Sequence, residues 1–295
     1  MGLDINAVWF LIDARNQGVA LGEVLTIGRQ HLNVYPAKMA QVLEAHGLPA
    51  GAFRDGDPGH FAEPCFASLG AKQVQALDFS DFEGAKFVHD LNRPIGAELK
   101  EKFDTVYDGG TLEHIFNFPV ALQNCMEMVK VGGRLFIHTA ANNWCGHGFY
   151  QFSPELFFRA LSRENGFVVE RMIVHAVGPY GRWHEVKDPE EIRSRVEVIT
   201  FYPLQMLVRA QRVAAVPVFR QPPQQSDYTP RWQEPTTGGK EGEATLAKRY
   251  TPVRPRLARL LPGVTRLFHV LKIGFQVYTS MSLWNRRCFR RVKKP

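Results

Sequence analysis

The chain has 295 residues, 45% hydrophobic and 22% charged, with four cysteines and a formal net charge of +7. That length holds one large domain with an appendage, or two modest ones, and buries a core without disulfides or metals. The charge is uneven: Lys240 to Pro295 carry fourteen Lys/Arg against two acids, a net +12, which leaves −5 on the preceding 239 residues, so the globular part is mildly acidic, the basicity belongs to a tail, and nucleic-acid binding by the body is disfavoured.

Cys65, Cys125, Cys145 and Cys288 form no CxxC pair and no structural-zinc spacing, so reduced thiols and no metal are expected. Met1 to Asn6 has no basic start ahead of an apolar run, and Asn6 stands where a myristoylation signal needs Ser or Thr. No uninterrupted apolar run reaches the about 18 residues of a spanning helix. A cytoplasmic protein is the expectation.

In chain order, a strand is predicted at 24–27, ending in Gly28, then a helix at 36–46 opened by Pro36 and closed by Gly47, and another at 61–69. Strands follow at 74–77, ending in Asp78, at 87–88, ahead of His89-Asp90, and at 103–107, ending in Asp108-Gly109-Gly110. A helix at 118–129 places Leu122, Met126 and Val129 at helical spacing and stops at Gly132-Gly133, before a strand at 134–138. Ser153-Pro154 opens a helix to about 161, Asp188-Pro189-Glu190-Glu191 opens another, and strands are expected at 167–177 and 206–213. The alternation predicts an α/β domain over 1–215, a mainly parallel sheet with helices on both faces. Seven prolines mark 216–256 as a linker, and 257–295 reads as a basic, amphipathic C-terminal segment.

Four strand ends carry glycine or acid: Gly28, Asp78, Asp90 and Asp108-Gly109. In an open parallel sheet ligands bind beyond the carboxyl ends of the strands, so these ends outline a nucleotide cleft. The stretch from Phe103 to His114, the following helix and Gly132-Gly133, with Phe152 to Leu156 and Asn165-Gly166-Phe167, resembles the class I, Rossmann-like S-adenosylmethionine-dependent methyltransferases over about residues 20–213. The resemblance implies S-adenosyl-L-methionine as cofactor, with Asp78 on the ribose hydroxyls, Phe79 against adenine and Asp90 facing the adenine amine. It also implies Asp108 and Gly109 beside the methionine portion.

The departure lies in the first turn, where Gly28-Arg29-Gln30-His31 replaces a glycine-rich sequence, and Arg29 is a candidate contact to the methionine carboxylate. Asp78 follows Gly28 by 50 residues, room for an insertion at about 31–58. His114, after the fourth strand, and His147, in a loop from Asn142 to Tyr150 with Gly146 and Gly148 as hinges over the acceptor, are the candidate proton acceptors. The expected reaction is methyl transfer to a small-molecule or glycan-related acceptor. The alternative is a catalytically inactive scaffold that binds a nucleotide or partner. A dehydrogenase is disfavoured by the missing GxGxxG turn. Leu257, Leu260, Leu261, Val264, Leu267, Phe268, Leu271, Phe275 and Tyr278 fall on one helical stripe ahead of a cluster of arginines and lysines. That segment would dock on the domain, on a second subunit of a homo-oligomer, or on an anionic membrane surface at its inner face.

Overall fold

The computed structural model describes residues 2–54, 59–227 and 262–295. Its centre is a nine-stranded sheet. Five strands are parallel: β2 (Gly22–Ile27), β4 (Ala71–Asp78), β5 (Phe87–Val88), β6 (Phe103–Asp108) and β7 (Val129–Asn142), in the spatial order β5-β4-β2-β6-β7. Beyond β7 lies β10 (Leu204–Arg212), antiparallel to both β7 and β8 (Phe167–Ala176). A late strand inserted between two earlier ones, reversed against both, gives the sheet order of the Rossmann-like class I methyltransferase fold. The order turns round at β2, so the crevice that such sheets offer to ligands opens over the ends of β2 and its neighbours.

Alternation along each strand sends successive side chains to opposite faces. Leu25, Val106, Leu135, Met172 and Met206 join a core with α5 (Phe118–Met128) and α6 (Pro154–Ala160). Val24, Tyr107, Phe136, Ile173 and Leu207 join a second core on the other face, beneath α1 (Ile5–Asn16), α2 (Pro36–Ala45) and α4 (Glu63–Ser68). Helix α1 escaped sequence analysis because it is buried nearly all round and shows no amphipathic period. Asp4 caps it, its Oδ1 accepting the Ala7 N–H at 2.9 Å. The insertion after Gly28 contains β3 (His31–Leu32), which pairs with β1 (Gly2–Leu3), then α2 and α3 (Gly51–Arg54); its residues 55–58 lie outside the described residues.

Three expectations need correction. Asp188 accepts the Glu190 N–H (2.9 Å) and begins a turn, but no helix follows. The chain leaves the turn at Arg193, whose φ of +48° is left-handed, and Arg159 of α6 pairs with both Asp188 and Glu190. Second, residues 216–227 are not a free linker: Val218 is buried, Phe219 N–H donates to Asn165 Oδ1 (2.9 Å), and Arg195 pairs with Asp227 at 2.5 Å. The rest of the expected linker, and residues 257–261 of the expected stripe, lie outside the described residues.

Third, the α/β domain does not close at 215. After α7 (Pro262–Tyr278), the chain returns as β11 (Phe289–Val292), which pairs antiparallel with β9 (Trp183–Val186), itself paired with β8. The basic tail therefore supplies the sheet's last strand, with Cys288 and Phe289 buried. Among the described residues the cysteines are free; burial pushes the Cys65 thiol up to about 12, which leaves it inert.

Candidate active site

The cavity at the strand ends is lined by Gly28 after β2, Asp78 and Phe79 after β4, His89 to Asn92 after β5, and Thr111, His114 and Ile115 after β6. Gly28 has φ +72°, and a Cβ there would lie 3.1 Å from Thr111 Oγ1, so the turn needs glycine for conformation and for room. Asp78 accepts the Phe79 N–H through Oδ1 at 2.6 Å. Its Oδ2 stands 3.9 Å from the place a Cβ on Gly28 would take, and both residues line the cavity. The Phe79 ring is 73% exposed, a large apolar face beside an acid with nothing among the described residues covering it. Asp90 accepts the Asn92 side-chain and backbone N–H groups (2.8 and 3.0 Å), and these bonds hold its carboxyl below the usual range.

The cavity measures about 220 Å³, below the roughly 300–1,000 Å³ of ordinary small-molecule sites. Gln30 fills the neighbouring turn. Its Nε2 donates to the carbonyls of Ile27 (2.6 Å) and Gly28 (3.3 Å), and its carboxamide lies so close over Gly109 that a Cβ there would collide with Oε1. Gln30 Oε1 is buried without a partner. Asp108 is wholly buried: Oδ1 accepts from Thr111 and Leu112 N–H (3.0 and 3.3 Å), while Oδ2 is also unpartnered. Burial, then the charge of Glu113, raises the Asp108 carboxyl well above its usual value. Arg29, in contrast, does not line the cavity. Its guanidinium lies 3.8 Å over the Phe61 ring, pairs with Glu63 at 2.6 Å and donates to Glu83 O at 2.7 Å.

Next to the cavity, the two candidate histidines come together. The rings of His114 and His147 stand edge to face with centroids 4.9 Å apart, although 33 positions separate them in the chain. Burial pushes the His114 imidazole below its ordinary value. Between them lies a residue that sequence reasoning left out. Glu113 is completely buried; its Oε2 accepts from Thr139 Oγ1 (3.0 Å) and its Oε1 lies 3.5 Å from His147 Nε2. The only chain signal for it was its place beside His114. One donor atom from each of Glu113, His114 and His147 lies within 4.8 Å of the others, a donor set suited to a metal ion as well as to proton transfer.

The loop from Asn142 to Tyr150 is fastened rather than free. Phe149 N–H donates to Glu113 O (2.8 Å), Trp144 Nε1 to Leu204 O (2.8 Å) and Tyr150 Oη to Phe116 O (2.7 Å). Gly148 permits this closeness, since a Cβ there would come within 2.7 Å of Glu113 O. Exposed Phe116 and Phe149 stand edge to face at 5.9 Å beside this loop. A larger groove of about 830 Å³ lies along the start of β8 and the end of β9, away from the cleft residues.

No family model matches the chain, and no curated protein matches it. Solved structures of similar shape include the N-methyltransferase NodS from Bradyrhizobium japonicum, 13% identical, with a TM-score of 0.39, covering 71% of this chain and 96% of that one. Another is 1,6-didemethyltoxoflavin-N1-methyltransferase from Burkholderia thailandensis, solved with bound 1,6-didemethyltoxoflavin and S-adenosylhomocysteine, at 14% identity, TM-score 0.36 and coverage of 70% and 77%. A third is the branched-chain polyamine synthase from Thermus thermophilus, at 14% identity and TM-score 0.37, where the match spans 74% of this chain and 60% of the synthase. Likeness at this level carries no reaction with it.

Proposed function

We propose that the chain is an S-adenosyl-L-methionine-dependent methyltransferase acting on a small-molecule or glycan-related acceptor. The observation that carries this reading is the cavity at the turning point of the sheet, where a free Asp78 carboxylate oxygen, the bare Phe79 ring and Asp90 open onto a Glu113–His147–His114 cluster. Asp78 Oδ2 suits a pair of ribose hydroxyls, which need an acceptor at a fixed strand end. Phe79 offers a stacking face to adenine. Asp108 Oδ2, buried and unpartnered, is an acceptor that an ammonium group would satisfy. The cofactor supplies an electrophilic methyl group on a sulfonium centre.

Methyl transfer depends chiefly on alignment, with a base needed only where the acceptor loses a proton. Thr139 fixes Glu113, and Glu113 turns His147 so that Nε2 faces the carboxylate. Nδ1 is then the ring nitrogen left for the acceptor's proton. His147→Ala and Glu113→Gln should each lower turnover by 10²- to 10⁴-fold, the usual worth of a positioned base, with cofactor affinity within about twofold of wild type. Equal loss of affinity and turnover would remove His147 from the role. Chelation separates base from metal: turnover that survives EDTA belongs to a base, and turnover lost and restored by a divalent cation belongs to a metal on the same three residues.

The alternative of an inactive scaffold would rest on one feature, the Gln30 carboxamide seated over Gly109. Calorimetry with S-adenosylmethionine and S-adenosylhomocysteine decides between them. Absence of heat at millimolar ligand would establish the scaffold.

A further inference from the structure

We propose that α7 and the basic cavity following it form a docking surface for an anionic phospholipid bilayer, with the cavity seating a phosphate headgroup. Helix α7 presents Leu267, Phe268, Leu271, Phe275 and Tyr278 within a sector of roughly 100°, the width of a stripe that soluble helices bury. Here these side chains are 57–83% exposed, and Val270 at the edge of the stripe is 58% exposed. Nothing among the described residues covers the stripe, and an apolar patch of this kind marks an interaction site. The helix carries no Asp or Glu.

Charge identifies the occupant. Past the turn at 279–283 is a cavity of about 360 Å³ lined by Arg182, His184, Lys187, Arg286, Arg290 and Arg291, with no acidic residue in its wall. Glu185, next to it, is taken up by Arg290 and Arg171. The pairing of β11 with β9 sets Arg291 directly opposite His184. Burial, together with the charges of Arg291 and Arg182, keeps the His184 imidazole below its ordinary value. Trp284, 72% exposed, stands at the cavity wall between the charges and the helix, the position an interfacial aromatic takes at the headgroup level.

A soluble phosphate would use the cavity alone. The apolar stripe a few residues earlier in the same segment requires a surface that offers anions and hydrocarbon together, which is a bilayer. No described helix is long and apolar enough to cross one, so α7 lies in the interface plane. The surface is tied to the acceptor mouth: Met281 O accepts the Ile199 N–H (2.9 Å), and Asn143 Nδ2 donates to Thr200 O (2.6 Å). Phe201, next to Thr200, is fully exposed. Docking therefore sets the mouth beside the membrane.

The test needs neither cofactor nor acceptor, so its outcome is independent of the methyltransferase reading. Full-length protein is floated with vesicles of pure phosphatidylcholine and with vesicles containing phosphatidylglycerol, at low and high salt. It should float with the anionic vesicles alone and be released by salt. Leu271→Ser/Phe275→Ser should abolish flotation, and Arg182→Glu/Arg286→Glu/Arg291→Glu should weaken partitioning by at least a hundredfold. All five positions are exposed, and unchanged urea midpoints confirm that the variants fold. Failure of wild type to float overturns the proposal, as does flotation that both variants retain. Binding of inorganic phosphate without vesicle binding would make the cavity a soluble-anion site. A wild-type dimer that the serine variant converts to monomer, with no vesicle binding, would assign the stripe to a second copy.

Discussion

Gln30 occupies the point where the chain departs most from a glycine-rich turn. Glycine there would leave the Ile27 and Gly28 carbonyls open, whereas the carboxamide now donates to both. A ligand's amino-acid end has to displace that side chain and take over its bonds. Gln30→Ala removes the competitor, so S-adenosylmethionine should bind several-fold tighter by calorimetry; an unchanged or weaker affinity would show that Gln30 contacts the ligand. Asp78 works in the opposite direction. Loss of a charged acceptor costs about 1.5–3 kcal/mol per hydrogen bond, so Asp78→Ala should weaken binding at least tenfold in the same measurement, while Asp78→Asn, keeping one acceptor, should fall between.

The last strand shows what an element contributes beyond its own length. β11 has four residues, yet it covers the edge of β9 and brings Phe289 onto the core, 3% exposed, opposite Val186. Without it β9 becomes an open edge, which invites pairing with other chains. Phe289→Ala should lower stability by about 3–5 kcal/mol, the usual cost of emptying a buried phenylalanine site. A chain ending at Tyr278 should show a lower urea midpoint and a concentration-dependent tendency to associate. An unchanged midpoint would mean that the strand is an ornament of the sheet and not part of its core. In the acceptor loop, by the same reasoning, Gly148→Ala should displace Glu113 and reduce turnover with little effect on cofactor binding.

At the scale of the whole molecule, a polar cluster beneath α1 sets the response to pH. His175 on β8 is fully buried, with His138 of β7 at a ring distance of 6.0 Å, Asp4 at the start of α1, and Lys294 after β11. Burial, reinforced by His138, brings the His175 imidazole down to about 4, against Asp4, which favours its charge. The unfolded chain, with an ordinary value near 6.5, therefore binds more protons between those limits. Stability should be fully present above about pH 6.5 and fall as pH drops towards 4, by up to roughly 3 kcal/mol from this group. Urea midpoints at pH 5 and 7.5 measure it, and a His175→Gln chain should show a shallower decline. A decline equal to wild type would place the acid sensitivity elsewhere.

The periodic strands, the glycine and acid at their ends and Pro-opened helices were legible in the sequence, because short-range pattern and turn chemistry are properties of neighbouring residues. They determined the α/β class, the parallel half of the sheet and the acids Asp78 and Asp90 at the cleft. Helix α1 was hidden because burial on all sides erases the period. Strands β9 and β11 were hidden because four residues joined across about a hundred positions leave no local signal. Gln30 over Gly109, Arg29 turned away to Glu63, and Glu113 clasped between Thr139 and His147 are long-range contacts. Only the tertiary structure decided them, since what a side chain reaches depends on which strand ends the sheet order sets side by side.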